Sequence, residues 1–260
     1  MNALWWVVGA SPILIAVGLF WRLKRIGAKH GKADWGGNFL NHLDGLMRIF
    51  SARFHRLEHE SLPVPETGGA IIAANHLSGV DPILLSAASP RPLRFVIATE
   101  QYRHPFLRWF YDLIGCIPVD RTGSPEKAFY SARRALAEGE LVVLFPQGRI
   151  RLPSDPRKPL KRGVIALAAM AQVPIIPVRI SGVGGMGRLV SAVLIRSRAR
   201  IHAGPPLKVA DSRDERALLA IEEFISRGVY DDYSEYFDTD GNYTGSSALS
   251  SVSAMGPAWP

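Results

Sequence analysis

The sequence predicts an α/β protein whose central sheet is mostly parallel or mixed and flanked by helices, with a membrane helix at the amino terminus. Two observations predict this class. Short apolar runs of strand length alternate with helical segments through the middle of the chain. Ahead of them, residues 3–21 are nineteen residues without a charged side chain. As a helix, this stretch would be about as long as a bilayer core is thick.

The amino-terminal segment carries the marks of a membrane anchor. Trp5, Trp6 and Trp21 lie near its two ends, where interfacial aromatic residues belong. Basic residues follow it and no charged side chain precedes it, so the positive-inside bias places the rest of the chain on the cytoplasmic side. We therefore expect residues 1–25 to be an anchor in the cell membrane. Pro12 leaves open whether this helix spans the bilayer or enters only one leaflet.

Residues 26–56 form a juxtamembrane segment with an amphipathic helix over 38–54. Its cationic side would face anionic headgroups and is formed by Arg48 and Arg53 with His42 and His55. The alternative is that its apolar stripe packs on the domain, and both interpretations stay open.

The formal charge of +8 is unevenly distributed. Residues 229–260 contain five acidic residues and no Lys or Arg, and their Gly- and Ser-rich end predicts an acidic and then disordered tail. The basic part before residue 229 would attract nucleic acid or anionic membrane lipids. The uncharged amino-terminal segment favours lipid, so we expect no nucleic-acid partner. Cys116 is the single cysteine and cannot form an internal disulfide.

Residues 57–228 carry the alternating elements and are expected to form the main domain. Residues 56–59 alternate like an edge strand. The predicted core strands are 70–74, 93–98, 115–121, 141–145 and 173–180, and residues 190–201 are β-rich. The predicted helices are 81–88, 105–114, 124–138, 163–171 and 214–227.

The turn after the first core strand carries the leading candidate for catalysis. His76 follows that strand directly, and Asp81-Pro82 has the pattern of a helix N-cap with Pro at the first helical position. Open α/β sheets place ligand sites at the carboxyl ends of their strands. A neutral imidazole there can accept a proton, and Asp81 can fold back to orient it. The alternative is a helix start and a histidine with only structural hydrogen bonds.

Two motif matches are rejected on context. Residues 55–59 match H-x-x-E-H, but zinc chemistry needs both histidines on one face of a helix, and Pro63 and Pro65 follow closely. Residues 182–187 match G-x-G-x-x-G, but no helix and no acidic residue at the required distance follow. A glycine loop joining strands is the better interpretation.

Four blocks in order resemble the glycerolipid acyltransferase family, which includes 1-acylglycerol-3-phosphate acyltransferase. The family signature H-x4-D corresponds to His76 and Asp81. A block that ends in Arg corresponds to residues 115–121, and Phe-Pro-Glu-Gly-Thr-Arg is approximated by residues 145–150. The apolar block V-P-I-x-P-V corresponds to residues 173–178.

The resemblance implies transfer of a fatty acyl group from an acyl-carrier protein or coenzyme A thioester to the hydroxyl of a lysophospholipid. His76 would be the general base, and Asp81 would hold its imidazole. Arg121 would bind an acceptor phosphate, unless it only pairs with the neighbouring Asp120. No metal, cofactor or covalent enzyme intermediate is expected, and the thioester is a co-substrate.

The third block departs from the family pattern. Gln147 stands in place of Glu, and Arg149-Ile150 stands in place of Thr-Arg. With Gly148, these residues would complete the acceptor site. Lysophosphatidate is the expected acceptor, and another lipid or glycolipid alcohol is the alternative. A lipid-binding protein that uses the same fold without turnover is the second alternative.

Overall fold

A computed structural model describes residues 3–121, 123–156, 158–209, 211–230, 236–238 and 244, with side chains from residue 14 onward. Seven strands form one sheet in the order β1-β7-β6-β2-β5-β3-β4. The strands are β1 Glu58–His59, β2 Ala70–Ala74, β3 Leu93–Ala98, β4 Ile117–Val119, β5 Leu141–Leu144, β6 Ile175–Ser181 and β7 Arg200–Ala203. The helices are α1 Ala3–His30, α2 Asn38–Arg53, α3 Asp81–Ala88, α4 Thr99–Tyr102, α5 Arg108–Leu113, α6 Glu126–Ala137, α7 Gly163–Ala171 and α8 Glu215–Arg227.

The sheet is mixed, and its central part is parallel. Strands β2 to β6 all run in one direction, whereas β7 is antiparallel to β6 and pairs in parallel with β1 at the edge. The predicted mixed sheet flanked by helices and the edge strand near residue 58 are therefore confirmed.

The central strand β2 is buried on both faces, as expected for a parallel sheet covered by helices. Ile71 and Ala73 face the cluster that contains residues of α6, α7 and α8, whereas Ile72 faces the cluster that contains Leu84 and Leu85 of α3. This alternation explains why the strand is a continuous apolar run in the sequence. It also makes the end of β2 a rigid support for the residues that follow.

The two amino-terminal helices pack closely against each other. A Cβ at Gly45 would lie 1.9 Å from the carbonyl oxygen of Gly27, so only glycine permits this approach of α2 to α1. The described part of the predicted anchor, residues 3–25, belongs to the longer helix α1, which continues to His30. Across the part of the chain that the structure describes, no helix combines the length and apolar content that crossing a membrane requires.

Helix α2 is tied to the domain through a polar face, which corrects part of the prediction for 38–54. Arg48 is buried, forms an ion pair with Asp44, and donates hydrogen bonds to the carbonyl oxygens of Ala87 and Ser89 at 2.6 Å each. His55 is also buried, with Nδ1 3.0 Å from the hydroxyl of Ser197. Arg48 and His55 therefore do not face headgroups, because their hydrogen bonds and burial place them against the domain. Burial lowers the pKa of His55.

The region after β6 is less β-rich than the sequence predicts. A 3₁₀ helix covers Val190–Leu194, and the strand β7 begins only at Arg200. Within the 3₁₀ helix only Ala192 is buried, so the burial does not alternate from residue to residue as it does in a strand. Of the predicted tail, residues 231–235, 239–243 and 245–260 lie outside the described residues, whereas Tyr236 and Phe237 are buried beside α8.

Candidate active site

His76 and Asp81 meet at the carboxyl edge of the sheet. His76 lies two residues after β2, and Asp81 begins α3. The Nδ1 of His76 lies 2.9 Å from Oδ2 of Asp81. Because a carboxylate accepts, a neutral imidazole in this pair carries its proton on Nδ1 and keeps Nε2 as the free acceptor nitrogen. His76 is partly exposed and Asp81 is fully buried, so the histidine is the member that a ligand can reach.

The carboxylate of Asp81 organises the whole turn. Its Oδ2 also accepts from the backbone N–H groups of Leu77 at 2.6 Å and Ser78 at 2.9 Å. Its Oδ1 accepts from the Ser78 hydroxyl at 3.2 Å. The predicted N-cap role is wrong: Asp81 lies inside the first turn of α3, Val80 precedes it as the cap residue, and the carboxylate points back to the loop. The bonds that a cap would make to the helix are made to the loop that holds His76.

Phe145 and Gln147, which follow the neighbouring strand β5, support His76. The ring of Phe145 stacks on the imidazole, with 4.1 Å between ring centroids. The side-chain oxygen of Gln147 accepts from the backbone N–H of His76 at 2.9 Å. These contacts form because β2 and β5 are adjacent and in register, with Ala73 opposite Leu144. Gln147 therefore uses the acceptor oxygen that it shares with Glu, and the changed residue still holds the turn that carries His76.

Asn75 fastens the end of β2 to β6 on its other side. Its amide nitrogen donates to the carbonyl oxygen of Ile180 at 2.8 Å, and its amide oxygen accepts from the Ile180 N–H at 2.7 Å. The side chain thereby continues the ladder one step beyond the strand. The sequence alone assigned no role to Asn75. The signal that could have found it is its position directly between the end of β2 and His76.

A cavity of about 660 Å³ lies beside the turn and contains the other predicted site residues. Arg121, Gln147, Gly148 and Arg149 line it together, with Glu100 and Lys161. Arg121 donates to the carbonyl oxygen of Gly148 at 3.0 Å and forms an ion pair with Glu100. The hydrogen bond from Arg121 lowers the pKa of Glu100. Arg121 thus pairs with Glu100, which follows the neighbouring strand β3.

Glu100 and Lys161 are site residues that the sequence analysis missed. Glu100 lies two residues after β3, at the same edge of the sheet as His76, and that position is the signal that could have found it. In the sequence, Lys161 is only one residue of a basic loop. In the structure, its backbone N–H donates to the carbonyl oxygen of Pro146 at 2.9 Å, which holds Lys161 beside the segment that follows β5. The lining side chains are three cations and one carboxylate, so the cavity favours an anionic group.

The two rejected motifs have structural roles in the described residues. Glu58 and His59 of H-x-x-E-H lie in the edge strand β1, not on a helix. The G-x-G-x-x-G segment forms a loop that packs against the catalytic turn: the N–H of Gly187 donates to the carbonyl oxygen of Leu77 at 2.8 Å, and the N–H of Gly79 donates to that of Arg188 at 2.9 Å. The loop is therefore part of the support of His76.

Gly79 has no room for a side chain. A Cβ there would lie 2.2 Å from the carbonyl oxygen of Leu189. We expect Gly79→Ala to lower the free energy of unfolding by about 1–3 kcal/mol and to lower activity, because the loop must move away from the His76 turn. The midpoint of thermal unfolding measures the first effect. Gly163→Ala is the matched control, since nothing lies within 4 Å of its Cβ position. Equal midpoints for the two variants would contradict the close packing.

The chain is similar to known acyltransferases. The family model "Acyltransferase" matches residues 55–181, a range that includes every predicted site residue. A 1-acyl-sn-glycerol-3-phosphate acyltransferase of Bacillus subtilis is 29% identical over 149 residues, which cover 57% of this chain and 71% of that protein. One of Streptococcus pneumoniae is 25% identical over 178 residues, 66% of this chain and 64% of that protein.

The fold has a counterpart among solved structures. The 1-acyl-sn-glycerophosphate acyltransferase of Thermotoga maritima matches with a TM-score of 0.57 and 19% sequence identity over 74% of this chain and 81% of that one. The family match identifies residues 55–181 as an acyltransferase domain, which is consistent with an O-acyltransferase. Together with the named relatives, this match supports the glycerolipid O-acyltransferase family for the chain.

Proposed function

We propose that this protein transfers a fatty acyl group from an acyl thioester to the hydroxyl of a lysophospholipid, with 1-acylglycerol-3-phosphate as acceptor and phosphatidate as product. The observation that carries the proposal is the 2.9 Å contact between His76 Nδ1 and Asp81 Oδ2 beside a cationic cavity. The names of the relatives from Bacillus subtilis and Streptococcus pneumoniae support the same acceptor. The donor is an acyl-carrier protein or coenzyme A thioester.

In this mechanism, His76 acts as general base. Its Nε2 takes the proton of the acceptor hydroxyl as the oxygen attacks the thioester carbonyl carbon. The new C–O bond forms, the C–S bond breaks, and the departing thiolate takes the proton from the imidazolium. Asp81 fixes the ring and stabilises its charged form through the Nδ1 contact. The reaction is direct, so no acyl group is carried by the enzyme and no metal is required.

The cationic cavity would receive the acceptor's phosphate. Arg121, Arg149 and Lys161 supply three positive charges against the single carboxylate of Glu100. A guanidinium can donate to two phosphate oxygens at once. Both side chains of the Arg121–Glu100 pair are partly exposed, so Arg121 can release Glu100 and bind a phosphate instead. Gly148 brings its backbone to the same wall, where its carbonyl oxygen orients Arg121.

The substrates require contact with a membrane, and α1 supports this. Its described part exposes large apolar side chains, including Leu14, Ile15, Phe20 and Trp21, and basic residues follow. Exposed apolar area of this extent marks an interaction surface. We propose that α1 holds the enzyme at a membrane with anionic lipids, with the catalytic domain on the cytoplasmic side.

An acceptor panel tests the reaction. Detergent-purified protein is given labelled acyl-carrier thioester or acyl-CoA with lysophosphatidate, lysophosphatidylglycerol, monoacylglycerol or a glycolipid alcohol. We expect lysophosphatidate to be the acceptor with the highest kcat/KM and labelled phosphatidate to be its product. A different preferred acceptor would support the alternative suggested by the altered block at 147–150. No product with any acceptor would refute the enzyme and favour a lipid-binding protein on this fold.

Arg121→Ala tests the phosphate site. Loss of one charge-assisted interaction of about 1.5–3 kcal/mol lowers kcat/KM for lysophosphatidate by roughly 10–100-fold, mainly through KM. Monoacylglycerol of the same chain length lacks the phosphate, so its acylation should change far less. Arg134→Ala is the control, because Arg134 also pairs with a carboxylate but lies exposed on α6. Equal losses for both acceptors would contradict phosphate binding by Arg121.

A further inference from the structure

The segment after β6 carries an exposed apolar surface that the proposed reaction does not use. Four large side chains form it, and we call it the glycine-loop surface: Met186, Leu189, Val190 and Leu194. Val190 is 73% exposed and Leu194 is 79% exposed, although both lie on one 3₁₀ helix with buried Ala192 between them. Side chains of this size are rarely left in water as a group unless they meet a partner.

The glycine-loop surface is joined directly to the catalytic turn. Gly187 donates to Leu77, and Gly79 donates to Arg188, through two backbone hydrogen bonds of 2.8 and 2.9 Å. The absence of a side chain at Gly79 brings Leu189 against the same turn. These short contacts therefore fix the position of the His76 turn relative to Val190 and Leu194, and so relative to any surface that these two side chains contact.

Exposed arginines lie close in the sequence to the apolar side chains. Arg188, Arg196 and Arg198 are all exposed, and none of them forms a salt bridge with the described residues. The guanidinium of Arg196 lies 5.5 Å from the ring centre of Phe54, at the end of α2. This contact connects the segment that carries the surface with the end of α2. Apolar side chains within a rim of cations match the interface of a bilayer that contains anionic lipids.

We propose that the glycine-loop surface is a second membrane contact, separate from α1, that inserts Val190 and Leu194 among anionic phospholipids. It thereby presents the His76 turn to an acceptor that lies in the bilayer. A soluble protein partner would have to cover the same apolar tips, but three nearby arginines that form no salt bridge with the described residues favour a polyanionic surface. The inference rests on the proposed function for the acceptor, whereas the membrane contact itself can be tested without turnover.

A fluorescent label measures insertion in the full-length protein. Val190→Cys provides a reactive thiol for an environment-sensitive nitrobenzoxadiazole label. The natural Cys116 does not compete, because it is buried and burial raises its pKa to about 12. Met170→Cys is the matched control, because Met170 is 49% exposed near the end of α7. Helix α7 leads into the amino end of β6, whereas the glycine-loop surface follows the carboxyl end of that strand.

With phosphatidylglycerol-containing vesicles, we expect the label at position 190 to brighten several-fold, shift to the blue and be quenched by nitroxide-bearing lipids. The label at position 170 should show none of these changes. Pure phosphatidylcholine vesicles should give a weaker response at position 190, because the arginine rim then has no anionic lipid. Equal responses at the two positions, or no response at position 190, would overturn the proposal.

A second arm connects the contact to turnover. Val190→Ser with Leu194→Ser should lower acylation of long-chain lysophosphatidate in vesicles by about tenfold, since two apolar side chains no longer enter the bilayer. The rate with a short-chain, monomeric lysophosphatidate should not change. Met170→Ser should change neither rate. Equal loss on both acceptors would indicate damage to the His76 turn and overturn the proposal, as would an unchanged rate in vesicles. If the wild-type protein acylates nothing, the proposed function fails, and the fluorescence arm still decides the contact.

Discussion

His76→Ala is expected to lower turnover by roughly 10²–10⁴-fold, the range that a general base supplies. The imidazole is the partly exposed member of the dyad, and its Nδ1 lies 2.9 Å from the Asp81 carboxylate. Binding of the acceptor should change little, because the cationic cavity is lined by other residues. Initial rates at saturating thioester and lysophosphatidate measure the effect in kcat.

His59→Ala is the control for this variant. His59 is exposed on the edge strand β1, far along the sheet from β2, and its loss should leave the rate unchanged. An unfolding midpoint close to that of the wild type shows that the His76 variant is folded. If folded His76→Ala keeps more than about a tenth of the wild-type kcat, the general-base role is wrong.

Asp81→Asn is expected to lower kcat by about 10²-fold or more with little change in KM. The carboxylate accepts four hydrogen bonds, from His76, Leu77 and both donors of Ser78. An amide keeps the shape and can turn its oxygen toward the three N–H donors at the Oδ2 position, but its NH2 group then replaces the oxygen that accepts from the Ser78 hydroxyl. Because the amide is neutral, it cannot balance the charge of the imidazolium. Asp81 is thus a positioning residue that acts through His76.

The split between kcat and KM separates positioning from general loss of structure. Asp81→Asn should also unfold at a lower temperature, because a fully buried group loses partners. Rates are therefore compared well below both midpoints. Ser78→Ala removes the 3.2 Å hydroxyl contact to Asp81 and the 3.3 Å hydrogen bond that the hydroxyl accepts from the Val80 N–H, but it keeps the carboxylate and should cost far less activity. If Ser78→Ala and Asp81→Asn lose the same activity, Asp81 has no special role toward His76.

Much of the fold was predictable because its signals are local. A short, continuous apolar run such as residues 70–74 needs burial on both faces, and this favours a central parallel strand. The dyad was predictable for the same reason: five positions across a strand-to-helix turn return Asp81 to His76 without help from distant residues. The error on the N-cap arose at this point, because a loop N–H and a helix N–H compete for one carboxylate.

The amphipathic helix is where pattern reasoning failed. Arg48 has the sequence position of a solvent-facing cation, but its guanidinium reaches Asp44 and two carbonyl oxygens at the end of α3. A buried charge is stable only with such partners, and nothing near position 48 in the sequence specifies residues 87 and 89. Separation along the chain also hid Glu100 as the partner of Arg121, because the two residues are 21 positions apart.

By itself, the sequence determined the class of fold, the histidine–aspartate pair and the amino-terminal apolar segment, because each depends on residues within one turn or one strand. Only the tertiary structure decided that β5 lies beside β2, which brings Phe145 and Gln147 to His76. It also decided that Arg121 faces Glu100 and that the glycine loop supports the catalytic turn. These contacts join segments tens of residues apart, and strand order in the sheet, which no local pattern encodes, selects them.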